Sequence, residues 1–122
     1  MTELVYQAKA GDGYLKKGMK RTNTFFMSAQ EAVAEALALK EKMDKKYKNE
    51  IQWDYNTKLS RSSKTVNILK GYLGGVRETS PFYLQIVCME QDQDYDISTP
   101  IKPKKMNKND KEVVNKVVKF LN

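Results

Sequence analysis

The clearest hydrophobic pattern lies between residues 28 and 48. Ala32, Ala36, Leu39, Met43 and Tyr47 recur at spacings of three and four, with Val33 and Leu37 widening the stripe, as on the buried side of an amphipathic helix. Ser28-Ala29-Gln30-Glu31 opens it as a capping box, the hydroxyl accepting from the Glu31 amide while the Glu31 carboxylate reaches back. Glu31 and Glu35 stand early and Lys45, Lys46 and Lys48 late, so charge follows the helix dipole. From Glu50 to Leu59 the period drops to two. Ile51, Trp53, Tyr55, Thr57 and Leu59 alternate with Gln52, Asp54, Asn56 and Lys58, which predicts one half-buried strand.

Shorter patterns fill in the rest. Leu4-Val5-Tyr6-Gln7-Ala8 reads as a strand, Gly11-Asp12-Gly13 as a turn, and Tyr14 to Phe26 as a returning strand with a break at Gly18. Ser60 to Lys64 is a polar loop. Thr65 to Leu73 fits a strand in a hairpin with 51–59, because β-branched residues start it and Gly71, Gly74 and Gly75 disfavour a helix. Phe82 to Met89 is apolar at both parities except Gln85, which predicts a central strand covered on both faces. Residues 90–109 turn acidic and then rich in proline and lysine, as in a mobile surface loop. Asn109, with Glu112 three residues on, would cap a last helix whose stripe is Val113, Val114, Val117, Val118 and Leu121. The expected fold is α+β: a single domain over 1–122, with one mostly antiparallel sheet of about five strands and both helices packed on it, in the order β-β(-β)-α-β-β-β-α.

Composition narrows the chemistry. The chain of 122 residues has no histidine and one cysteine, Cys88. Histidine acid–base catalysis, histidine metal ligation, Cys–His pairs and cysteine-rich zinc sites are therefore excluded. An intramolecular disulfide is excluded too, which suits a reducing compartment. The first residues lack the charged and apolar regions of a signal peptide, and no apolar run reaches the roughly 20 residues of a bilayer span. A cytoplasmic protein without a membrane partner is expected.

The candidate chemical motifs each have a plainer explanation. Asp92, Asp94 and Asp96 alternate like the opening of a calcium loop, but Ile97 stands where its glycine belongs and Pro103 where its bidentate glutamate belongs. A metal-dependent nuclease would draw on Asp54, Glu78 and Glu90 with Lys58 or Lys70, and no recognisable spacing links them. Gly71 to Gly75 is not followed by the Lys-Ser/Thr of a phosphate loop, so it reads as a connector. Cys88 lies in an apolar strand with no base to activate it, as a structural thiol does. No catalytic residue and no cofactor is expected.

Charge is the signal that remains. Lys+Arg number 22 and Asp+Glu 15, a net charge of +7. It is unevenly spread, with +5 over 14–48, −4 over 82–101 and +5 over 102–122. Three basic clusters stand out: Lys16, Lys17, Lys20 and Arg21; then Lys45, Lys46 and Lys48; then Lys102, Lys104, Lys105 and Lys108. Arg61 and Lys64 add to the central hairpin. Clustered lysines neutralise phosphates by counterion release, and nearby aromatics such as Trp53 and Tyr55 could stack on unpaired bases or simply belong to the core. With 19 lysines against three arginines, contacts to the nucleic-acid backbone are expected rather than sequence-specific base readout.

The basic hairpin leading into Phe26-Met27-Ser28-Ala29-Gln30-Glu31-Ala32 resembles the strand–helix junction of the arm-type DNA-binding domains at the N-termini of phage-type integrases. The resemblance covers about a quarter of the chain, with Tyr6 as the first-strand aromatic, and does not establish the family. The leading expectation is a non-enzymatic basic protein that contacts nucleic acid or a nucleoprotein through Lys16, Lys17, Lys20, Arg21, Arg61 and Lys64. The alternative is an interaction module or inhibitor, of the phage or mobile-element accessory type, that docks on a larger nucleic-acid-processing enzyme. Asp92, Asp94 and Asp96 would then meet a basic partner. A third reading makes the same three carboxylates the centre of a metal-dependent enzyme.

Overall fold

In a computed structural model of the chain, the residues described are 4–12, 17–19, 24–76, 81–90 and 97–121. Six strands and two helices follow in the order β1 (Leu4–Asp12), β2 (Lys17–Met19), α1 (Ala29–Lys46), β3 (Ile51–Asp54), β4 (Ser60–Ser62), β5 (Thr65–Leu73), β6 (Phe82–Glu90) and α2 (Lys108–Leu121). Every strand pairing is antiparallel. The five-strand path is β2-β1-β6-β5-β3, with the short β4 also paired to β5. This is the α+β sheet-and-two-helix architecture that the residue patterns predict.

α1 forms where the capping box places it. Ser28 is extended (φ −134°), and its Oγ accepts from the Glu31 amide at 3.2 Å. The Glu31 carboxylate answers by accepting from the Ser28 hydroxyl at 2.9 Å. Ala29, Ala32 and Ala36 are buried with Val33, Leu37, Leu39 and Met43; the small residues let the helix lie close to the sheet. The helix ends at Tyr47, and Lys48 and Asn49 turn the chain with φ of 55° and 61°.

α1 covers one face of the sheet, and on the other face Val5 and Gln7 of β1 are also buried. Phe82, Leu84, Ile86 and Cys88 of β6 are buried beneath α1, whereas Tyr83, Gln85, Val87 and Met89 are half-exposed. Among the described residues the expectation of two covered faces is not met along β6 itself, whose outward side chains are half-exposed. α2 packs against α1 rather than lying on the sheet, and Val113 and Val117 complete the core from there.

Three local expectations are corrected. The period-two run from 50 to 59 is a strand only to Asp54. The Asp54 carboxylate then accepts from the Asn56 amide at 3.0 Å, and the Asp54 carbonyl accepts from the Thr57 hydroxyl at 2.6 Å, which turns the chain. The segment at 60–62, expected as loop, pairs with β5. Finally, α2 begins two residues early: Asn107, not Asn109, is its cap. The Asn107 side chain accepts from the Asp110 amide at 2.7 Å, and Asp110 accepts from the Asn107 amide at 3.3 Å.

Gly71 belongs to β5 rather than to a connector. A Cβ there would stand 2.6 Å from Ile51 and 2.7 Å from the Trp53 ring, so the missing side chain is the seat of both. Gly74 and Gly75, at φ of 63° and 74°, do form a turn.

Candidate nucleic-acid interface

Two lysine clusters more than fifty residues apart in the sequence meet in space. Ala38, Glu41, Lys42, Asp44 and Lys45 on the outer side of α1 face Ile101, Lys102, Lys104 and Lys105 across a groove of about 590 Å³. Acidic residues of the helix build it. Buried Glu35 accepts from the Ile101 amide at 3.1 Å, and the two oxygens of Glu41 accept from the Lys104 and Lys105 amides at 2.8 and 2.9 Å. The described part of the 90–109 connection is thus held along α1 by its backbone. Lys102, Lys104 and Lys105 are exposed, as are Lys42 and Lys45.

Carboxylates of the groove are already engaged. Glu41 is occupied by the two backbone amides, and Asp44 accepts from the Trp53 indole at 2.8 Å and lies 3.5 Å from the Lys40 ammonium. Among the described residues the five groove lysines have no ion-pair partner. The result is a surface strip on which five lysines outnumber the carboxylates of Glu41 and Asp44, with Ala38 and Ile101 as an apolar floor.

Beneath the groove a second cluster ties α1 to α2 and to the turn after β3. Lys40 is buried and lies 3.6 Å from Asp110, which also accepts from the Tyr55 hydroxyl at 2.8 Å. Its ammonium stands 5.7 Å from the centre of the Trp53 ring and 5.9 Å from that of Tyr55. Burial pulls the Lys40 pKa down, but Tyr55, Asp110 and Asp44 outweigh it, so the net direction is up. Burial raises the Tyr55 hydroxyl, and its bond to Asp110 adds to this. Trp53 and Tyr55 are therefore joined to a buried ionic network through their polar edges.

The sequence-derived site residues separate. Lys16, Lys20, Arg21, Asp92, Asp94 and Asp96 lie outside the described residues. Lys17 is placed by its backbone, which pairs with Asp12 next to Phe82. Phe82 packs against Tyr47 (ring centroids 5.0 Å apart), so this hairpin lies at the end of the sheet where α1 finishes. Arg61 and Lys64 are exposed on the β4–β5 turn, at the opposite end. There the Cys88 amide donates to the Lys64 carbonyl at 2.7 Å, Cys88 pairs with Tyr6, and Tyr6 bridges to Phe26 just before α1. They do not join the groove.

Burial raises the Cys88 thiol, and Arg61 opposes that rise. Burial likewise raises the Tyr6 hydroxyl, with Cys88 adding to it and Arg61 opposing. Among the described residues no three potential metal ligands come together. Asp54 and Glu90 sit at opposite ends of the sheet, and Glu78 lies outside the description. No described helix is long and apolar enough to cross a membrane.

Reading the sequence alone missed Lys42 and the anchoring role of Glu35 and Glu41. Glu35 was visible only as an early acidic residue of a helix; nothing in its spacing shows that it receives a backbone amide 66 positions away. The chain was compared with family models, with curated proteins and with solved structures, and matches none of them.

Proposed function

We propose that this chain is a small, non-enzymatic binding protein that holds nucleic acid by its phosphate backbone along the lysine-lined groove of α1. The observation that carries the reading is the meeting of Lys42 and Lys45 with Lys102, Lys104 and Lys105 around a groove whose own carboxylates are spent on other partners. Such a strip offers point charges to phosphates without the bidentate forks that read bases. The Lys17 backbone lies at the same end of the sheet, where α1 finishes. Arg61 and Lys64 would be peripheral.

The test is binding of labelled single- and double-stranded DNA and RNA across a salt series. The Lys42→Ala/Lys45→Ala/Lys104→Ala variant should bind more weakly and lower the log–log salt slope for duplex by about 2.7, since each lost phosphate contact removes roughly 0.9. Absence of binding by the unaltered protein at low salt would overturn the reading. The apolar floor favours one alternative, an acidic segment of a nucleic-acid-processing protein with an apolar residue seated on Ile101. A stoichiometric partner retained from nuclease-treated host lysate and lost in Ile101→Asp would support that instead.

A further inference from the structure

The sheet face turned away from α1 carries a different arrangement. Opposed residues in antiparallel strands point to the same side, so the register orders this face in rows. One row runs Gly18, Gly11, Tyr83, Lys70, Asp54, and the next runs Lys9, Gln85, Asn67, Ser60. Tyr83 is half-exposed at the centre of the sheet, and among the described residues its hydroxyl makes no hydrogen bond. On one side of it lie two glycines in succession, from which no side chain rises. Lys70 stands on the other side, and Lys9 is diagonal to it beyond Gln85. In the second row the Gln85 amide donates to Asn67 at 2.7 Å, which leaves the Gln85 carbonyl oxygen as an acceptor toward the face.

We infer that this face takes an unpaired base of single-stranded nucleic acid, stacked on Tyr83 above the strip cleared by Gly11 and Gly18, with Lys9 and Lys70 on the flanking phosphates. The inference rests on the nucleic-acid reading and adds to it a preference for single strands. A base in a duplex has its face covered by its neighbours, and a central strand's aromatic reaches only a splayed one. Charge complementarity selects the occupant: near the ring the face offers two ammonium groups, while the carboxylate of this row, Asp54, lies beyond Lys70 and accepts from the Asn56 amide.

The probes are a short oligothymidylate, an abasic strand of the same length, and a duplex. Tyr83→Leu keeps an apolar body at the position but removes the ring, and should weaken oligothymidylate binding roughly 5- to 100-fold, the effect of one lost stack. It should leave the abasic strand and the duplex unchanged, and Tyr83→Phe should bind like the parent protein. Photo-crosslinking of the unaltered protein to a 5-bromouracil oligonucleotide should yield the adduct at Tyr83, and needs no variant to fold. If the unaltered protein binds all three probes equally, or the crosslink falls elsewhere, this inference is overturned and the groove reading stands. If it binds none of them at low salt, both fall.

Discussion

Replacing Lys40 by Met removes the one cation shared by Asp44 and Asp110 while keeping an unbranched stem in the same space. Breaking a buried pair by deleting one partner generally costs about 3–5 kcal/mol, because the other charge is left uncompensated. Here the low end applies. Asp110 keeps the Tyr55 hydroxyl at 2.8 Å and the Asn107 amide at 3.3 Å, and Asp44 keeps the Trp53 indole at 2.8 Å and has a side chain 21% exposed. The expected loss is about 3 kcal/mol, which for a chain of this length lowers Tm by roughly 12 °C. Urea unfolding at neutral pH, followed by circular dichroism, measures it. Adding Asp44→Asn and Asp110→Asn to Lys40→Met neutralises the stranded carboxylates without removing the acceptors for Trp53 and Tyr55. This triple variant should recover more than half of the loss. A Lys40→Met protein within about 0.5 kcal/mol of the parent would show that the ammonium contributes nothing net. A triple variant as unstable as the sum of its parts would place the cost in packing instead.

Two further outcomes follow from local features. Asn107→Ala should destabilise the protein by about 1 kcal/mol, within the range of a lost helix cap, while Asn109→Ala should be nearly neutral; equal effects in thermal unfolding would mean that the cap is misassigned. Stability should also fall at alkaline pH. The Cys88 thiol and the Tyr6 hydroxyl have folded pKa values raised above their ordinary 9.0 and 10.0 by burial, so their contribution is complete below those values and is lost as pH rises through the folded ones. The urea midpoint should hold to about pH 8 and decline above pH 9, and Cys88→Ala should move the onset toward pH 10; an onset unchanged in that variant would refute the assignment.

How far the sequence was legible depended on whether a pattern's cause was local. α1 was readable in full, because capping box, apolar stripe and charge order are all properties of adjacent turns. The end of β3 was not. Tyr55, Thr57 and Leu59 keep the alternation of a strand, but Asp54 competes for the backbone just ahead of them and turns the chain. The start of α2 offered two overlapping frames, Asn107 with Asp110 and Asn109 with Glu112. The first prevails because Asp110 also meets Lys40 and Tyr55, contacts that no neighbouring residue announces. The groove was the least accessible of all. Its lysines were visible as charge clusters, but their meeting depends on Glu35 and Glu41 receiving amides from a segment more than sixty residues away. The face around Tyr83 was hidden for a different reason: a central strand rich in apolar residues reads the same whether one side is covered or two.

The break between β3 and β4 also bears on how the molecule behaves among copies of itself. An uninterrupted outer strand would offer a long row of unpaired amides and carbonyls on which a second chain could continue the sheet. Here that border consists of four residues, a turn, and three more, so an incoming strand would find a place for only a couple of residues before the backbone bends away. The turn at 55–57, which spoils a regular alternation, thus makes this border of the sheet a poor template for a second chain.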